Sequence, residues 1–197
     1  MGTRNTTRIY FNNELRVAQY GQWDGYPSGQ GKDFMNFCAS KYNMDALYNA
    51  ISNQNEPFLS SEELDVLEKG RRALFREIDD SNLPMTSKER ITRYLSNSFE
   101  WHRDHGASVL YRIAFGGCPV HMDTVGDELQ EGNYEIRFNN LEKIDGFEAK
   151  IIMEYHGHFK EIDYRTLVES YRKDKEFIDS FINNWEHEIR RSQSTML

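Results

Sequence analysis

The sequence has little cysteine and no long apolar run. Only two of its 197 residues are cysteine, Cys38 and Cys118. Two distant cysteines in a chain without a secretion signal are typical of free thiols rather than of a disulfide framework. No apolar stretch approaches the roughly 18 residues that a membrane-spanning helix needs, and the first residues lack the apolar core of a signal peptide. We therefore expect a cytoplasmic protein that has no membrane association.

Basic residues are also few. The chain has 24 Lys and Arg against 32 Asp and Glu, which gives a formal net charge of -8. An acidic surface repels phosphate backbones, so the composition argues against general nucleic-acid binding. The hydrophobic fraction of 38%, with 12 Phe and 11 Tyr, is sufficient to build a core. The length fits a single domain over residues 1–197, with 192–197 as a frayed tail.

Strand patterns occur at both ends of the chain. The segments 7–11 and 15–20 are rich in β-prone residues, and the Asn12-Asn13 pair between them predicts a hairpin because Asn tolerates positive φ. Alternating polar and apolar residues predict further strands at 134–138, 147–155 and 156–162. We expect the hairpin and these later strands to form one small antiparallel sheet.

Helical spacing of apolar residues occurs between the strand patterns and at the C-terminal end of the chain, whereas residues 116–132 follow no regular pattern. It predicts helices that pack on the sheet and a long C-terminal helix after Asp163, so the fold class is α+β. The apolar stripe of the C-terminal helix ends in Trp185 and Ile189. This stripe is either core buried against the sheet or an exposed dimer or target-protein surface.

The segment YGQWDGYPSGQG, residues 20–31, is the most informative part of the sequence. It is too rich in Gly and Pro for the interior of a helix or strand, and too aromatic for an ordinary solvated loop. It matches neither a P-loop nor a dinucleotide fingerprint. One interpretation is a ligand- or partner-recognition loop, and the other is an aromatic-anchored turn that closes the end of a sheet. The candidate binding residues are Tyr20, Gln22, Trp23, Asp24 and Tyr26.

Two other clusters carry groups suited to chemistry. The first, Arg103-Asp104-His105, adds three candidates for ligand or partner binding. Its carboxylate can orient the histidine for acid–base work, although a solvated helix junction explains the same residues. In the second, Cys118 and His121 lie close in sequence, but an irregular loop with one cysteine explains them as well. Since neither cluster completes a catalytic or metal-binding set, the sequence favours a protein without metal or cofactor that is not an enzyme.

The N-terminal residues carry a resemblance. The residues concerned are Gly2-Thr3-Arg4-Asn5, Val17-Ala18-Gln19 and the glycine-rich segment. Together they resemble a family of small, mostly uncharacterised proteins encoded by tailed bacteriophages, prophages and some bacteria. The resemblance extends only to Gly31, with a weaker similarity at Arg103-Asp104-His105-Gly106-Ala107. It implies origin and fold more than chemistry.

These observations lead to two hypotheses on function. The first is a phage-encoded accessory protein that binds a host protein, as an inhibitor of defence or metabolism, or another phage protein. It would act in the host cytoplasm or within the virion. The second is a binding protein or hydrolase for a nucleotide- or sugar-like small molecule, with a pocket at Trp23 and Asp24. A pocket at the loop would favour the small molecule, and a flat aromatic patch would favour a protein partner.

Overall fold

The computed structural model describes residues 2–53, 61–98, 106–116, 131–140 and 146–194. Within these ranges the chain forms five strands and seven α-helices, which confirms the α+β class. A single π-helical turn at Pro27–Gly31 leads directly into the first helix. In chain order the elements are β1 Asn5–Phe11, β2 Glu14–Gly21, α1 Lys32–Cys38, α2 Lys41–Ser52, α3 Ser61–Asp80, α4 Met85–Ser98, α5 Ser108–Gly116, β3 Gly132–Asn140, β4 Phe147–Tyr155, β5 His158–Asp163, α6 Tyr164–Lys173 and α7 Phe177–Ser194.

The five strands form one sheet in the order β2-β1-β3-β4-β5. The predicted N-terminal hairpin is confirmed, with Asn12 and Asn13 at φ values of 49° and 67°. The prediction of a purely antiparallel sheet is wrong at one pair, because β1 and β3 run parallel. Alternating residues indicate which face of a strand is buried but not its direction, and the long helical connection from β2 to β3 permits a parallel neighbour.

The main core lies between one face of the sheet and the helices. Ile9 of β1 pairs with Val17 of β2 and with Ile136 of β3, and all three are fully buried. Trp185 of α7 is also fully buried within this core. The apolar stripe of the C-terminal helix is therefore part of the core and is not an exposed protein-binding surface.

The C-terminal helical region differs in detail from the prediction. It is divided at Asp174 into α6 and α7, so the long final helix begins at Phe177 rather than after Asp163. Helix α7 continues through Ser194, which places the first three residues of the predicted tail inside a helix. None of the helices that the structure describes combines the length and apolar character that crossing a membrane requires.

Candidate functional site

The glycine-rich loop, residues 22–31, follows β2 at the end of the sheet where β1 and β3 begin. Asn5, the first residue of β1, is fully buried beneath it. The Asn5 Nδ2 group donates to the carbonyl oxygens of Gly21, at 3.2 Å, and Trp23, at 3.1 Å. The amide of Gly25 donates to the Thr3 carbonyl oxygen at 3.0 Å. The N-terminal strand therefore fixes the first half of the loop.

Strand β3 supports the same part of the loop from below. Tyr134 is fully buried, and its hydroxyl donates to the Gly25 carbonyl oxygen at 2.7 Å. Burial, with a smaller contribution from nearby Tyr155 and Glu186, raises the pKa of Tyr134 far above its usual value. The hydroxyl consequently keeps its proton, and remains a donor, at neutral pH.

Two helices hold the second half of the loop. The Ser28 amide donates to Oε1 of Glu186 on α7 at 3.0 Å, and the other Glu186 oxygen accepts from Arg190 at 3.2 Å. At the start of α5, the Ala107 amide donates to Gln30 Oε1 at 2.6 Å. Side chains or backbone from β1, β3, α5 and α7 thus converge on a loop of ten residues.

The two aromatic side chains of the loop nevertheless face solvent. Trp23 is 56% exposed and Tyr26 is 37% exposed. The Trp23 ring lies against the Gly2 backbone, where an added Cβ would come within 2.6 Å of Cε3. The Tyr26 hydroxyl donates to Asp24 Oδ1 at 3.1 Å, and this hydrogen bond, followed by the Asp24 charge, raises the pKa of Tyr26. Both rings are held in place without being buried.

A groove runs along α7 beside the loop. It has a volume of about 710 Å³. Glu186 connects the two features, because it lines the groove and also accepts from Ser28 of the loop. We call Trp23, Asp24, Tyr26 and this groove the loop–helix surface. Of the residues that the structure describes, the groove is lined by Asn183, Glu186, His187, Arg190, Arg191 and Ser194.

Comparisons of the chain with models of protein families, with curated proteins and with solved structures find no match. The loop–helix surface must therefore be interpreted from its own geometry, and the resemblance to phage proteins stays a prediction.

The predicted binding residues of the glycine-rich segment lie in two different environments. Gln22, Trp23, Asp24 and Tyr26 are all exposed on the loop. Tyr20 is only 6% exposed, and its pairing with Thr6 places it on the sheet face opposite Ile9. It therefore does not belong to the exposed aromatic group.

The second predicted cluster, Arg103, Asp104 and His105, lies outside the described residues. The structure does place the two residues that follow it beside the loop. Gly106 has a φ of +46°, and the adjacent Ala107 amide binds Gln30. The chain thus returns to the glycine-rich loop immediately after this cluster.

Sequence reasoning missed two of the residues that support the loop, Tyr134 and Glu186. Each is an ordinary polar residue within a strand or a helix, whereas Asn5 and Gln30 belong to the N-terminal residues that carry the resemblance. Glu186 is separated from Ser28 by 158 positions, and Tyr134 from Gly25 by 109. No local pattern marks such residues, since their partners are brought to them only by the folded chain.

The described residues offer little that resembles a catalytic centre. No three histidine, cysteine, aspartate or glutamate side chains among them are grouped as a metal site needs. His158 has a structural contact with Ser192. The Ser192 hydroxyl uses its one hydrogen to donate to the Ile189 carbonyl oxygen at 2.7 Å. The His158 Nε2–H group therefore donates to Ser192 Oγ at 2.9 Å. The cluster of Cys118 and His121 lies outside the described residues.

Cys38 is expected to be unreactive in the folded protein. It is fully buried, and burial raises the pKa of its thiol well above the usual value, which suppresses the nucleophilic thiolate. Iodoacetamide labelling followed by peptide mapping should find Cys38 unmodified in the native protein and modified in denaturant. The thiol introduced by Tyr42→Cys, at a position on α2 that is 73% exposed, is the matched control. Equal labelling rates at positions 38 and 42 in native protein would contradict the expectation.

Proposed function

We propose that this protein works by binding another protein through the loop–helix surface, as a phage-encoded accessory protein in the host cytoplasm or the virion. The observation that supports the proposal is the contrast between the support of the loop and the exposure of its rings. A turn that only closed a sheet would bury its aromatic side chains for stability. Here the N-terminal strand, β3 and α7 hold the backbone of the loop and the start of α5 holds its Gln30 side chain, while Trp23 remains 56% exposed.

The rigid support makes binding less costly. Ordering a flexible loop at an interface costs about 0.5–1.5 kcal/mol for each immobilised side chain. In this chain Asn5 and Tyr134 already fix the loop carbonyls, and Asp24 already holds the Tyr26 hydroxyl. A partner would meet the rings in a conformation that is set before contact.

The surface has the composition of a protein interface. Exposed Trp, Tyr and Arg side chains are the residues most enriched among those that dominate binding energy. Trp23 and Tyr26 stand out from the loop, and Arg190 lies at the adjacent groove. An extended segment of a partner could lie along α7 while one of its apolar side chains packs on Trp23.

A small molecule is the second candidate, favoured by the groove itself. Its volume of about 710 Å³ falls within the range of roughly 300–1,000 Å³ that is usual for ligand sites. The described lining is polar and charged, with Glu186 engaged by Ser28 and Arg190. Carbon atoms of these side chains form most of the groove surface, so a ligand would combine an apolar face with hydrogen-bonding groups, in keeping with a nucleotide- or sugar-like molecule.

Trp23→Ala should abolish most of the binding while leaving the fold intact. Loss of a central aromatic residue typically weakens an interface by about 2 kcal/mol or more, which corresponds to roughly thirtyfold in affinity. We would immobilise wild type, Trp23→Ala and Tyr42→Ala, and compare the proteins captured from phage-infected and uninfected cells. Tyr42 is the matched control because it is an exposed aromatic residue on α2.

A protein retained by wild type and Tyr42→Ala but lost with Trp23→Ala would support the proposal, and its affinity could then be measured with purified partner. Equal capture by all three variants would contradict it. Native mass spectrometry of wild type distinguishes the second candidate, since a bound small molecule adds a mass that disappears on denaturation.

A further inference from the structure

On β1 and β2, the helix-facing side of the sheet changes from apolar to polar toward the glycine-rich loop, whereas β4 keeps the buried apolar Met153. One row of paired residues across the sheet is entirely aliphatic. The next row contains Gln19 of β2, Thr7 of β1 and Tyr134 of β3, and Asn5 follows on β1. The aliphatic row consists of Val17, Ile9, Ile136, Ile151 and Ile162.

These polar side chains are buried as deeply as the aliphatic ones. Asn5 and Thr7 are 0% exposed, and Gln19 is 2% exposed. Two of the polar groups have an evident task, because Asn5 Nδ2 and the Tyr134 hydroxyl both bind loop carbonyls. Within the part of the chain that the structure describes, Asn5 Oδ1 and Thr7 Oγ1 have no hydrogen-bond partner.

Two such atoms on the same face of one strand require an explanation. Buried polar groups are nearly always hydrogen-bonded, since leaving one unpaired costs about 1–3 kcal/mol. The orientation of the Asn5 amide is set, because its NH₂ group must face the carbonyl oxygens of Gly21 and Trp23. Its oxygen therefore needs a separate donor.

We propose that an ordered internal water molecule bridges Asn5 Oδ1 and Thr7 Oγ1 beneath the glycine-rich loop. The two residues are separated by one position, so their Cα atoms lie about 6.6 Å apart on the same face of β1. A water between them can donate to Asn5 and exchange a hydrogen bond with Thr7. Gln19, which pairs with Thr7, donates from Nε2 to the Tyr20 carbonyl oxygen at 3.4 Å, and the second hydrogen of this amide can serve as the third partner that internal waters usually have.

This water would belong to the support of the loop. By binding the oxygen of the Asn5 amide, it would hold the nitrogen of the same amide against the carbonyls of Gly21 and Trp23. The site depends on burial and hydrogen bonding alone, so it does not rest on the proposed function.

The test is water–protein magnetisation exchange by NMR on the full chain. Wild type should show cross-peaks from a long-lived water to the Asn5 side-chain amide. Thr7→Val should lose them, and Thr7→Ser should keep them because it retains the hydroxyl. Thr6→Val is the matched control, as Thr6 is 4% exposed and lies on the opposite face of β1. It should leave the cross-peaks unchanged.

The wild-type spectrum alone can overturn the proposal, even if a variant fails to fold. Absence of the cross-peaks in folded wild type would do so. A high-resolution crystal structure with a direct hydrogen bond from Thr7 Oγ1 to Asn5 Oδ1, and no water between them, would do so as well.

Discussion

Gly25→Ala is expected to destabilise the folded protein by about 2–4 kcal/mol, because no room exists for a side chain at this position. A Cβ there would lie 2.7 Å from the Arg4 carbonyl oxygen and 2.8 Å from that of Thr3. These neighbours cannot easily move, since the Arg4 carbonyl also accepts from the amides of Glu131 and Gly132, both at 3.1 Å. The loop would have to leave the sheet, and the Tyr134 hydroxyl would lose its acceptor.

Urea denaturation followed by circular dichroism measures the effect. The matched control is Gly70→Ala, because Gly70 lies within α3 and an added Cβ meets nothing within 4 Å. That substitution should stabilise the protein, by up to about 1 kcal/mol, through the higher helix propensity of alanine. Two substitutions of the same kind should therefore shift the denaturation midpoint in opposite directions. Unchanged stability of Gly25→Ala would show that the loop is not held against the N-terminal strand.

Asn5→Asp is expected to destabilise the protein by about 3–5 kcal/mol at neutral pH. The substitution replaces a buried donor by a carboxylate that faces the carbonyl oxygens of Gly21 and Trp23. Both the burial and the repulsion disfavour the charged form, so the pKa of the new carboxyl in the folded state should rise above its unfolded value of about 3.9.

The raised folded-state pKa of this carboxyl determines how the stability of Asn5→Asp changes with pH. Between the unfolded and the folded pKa, the folded state binds more protons than the unfolded state, so stability relative to wild type falls as pH increases through that window. Asn5→Asp should therefore come closest to wild type near pH 4, where the protonated acid can still donate to one carbonyl. Denaturation of both proteins at several pH values tests this. A stability difference that does not change with pH would contradict a buried carboxyl at position 5.

Asn13→Asp is the control for this substitution. Asn13 is exposed in the β1–β2 turn at a φ of 67°, a conformation that both Asn and Asp tolerate. Its effect should stay within about 0.5 kcal/mol of wild type. The comparison separates the chemistry of the Asn5 site from a general effect of one more negative charge on a protein of net charge -8.

Local features of the chain were predictable because they depend on neighbouring residues. The Asn12-Asn13 pair indicated the hairpin, since positive φ is a property of the residue itself. Helical spacing indicated the long α7, since its apolar side chains repeat with the helix period. The glycine-rich loop was visible in composition alone. The direction of β3 beside β1 was not, because pairing direction depends on how the whole connection between the strands is routed.

Composition and residue spacing were sufficient to indicate an α+β chain with an aromatic, glycine-rich loop after its first hairpin. Which aromatic rings are accessible depended on packing of the folded chain, which buries Tyr20 and leaves Trp23 and Tyr26 exposed. It also brought Tyr134 and Glu186 to the loop from 109 and 158 positions away. Backbone propensities and side-chain periodicity act over a few residues, whereas burial and long-range hydrogen bonds exist only once the sheet and helices have packed together.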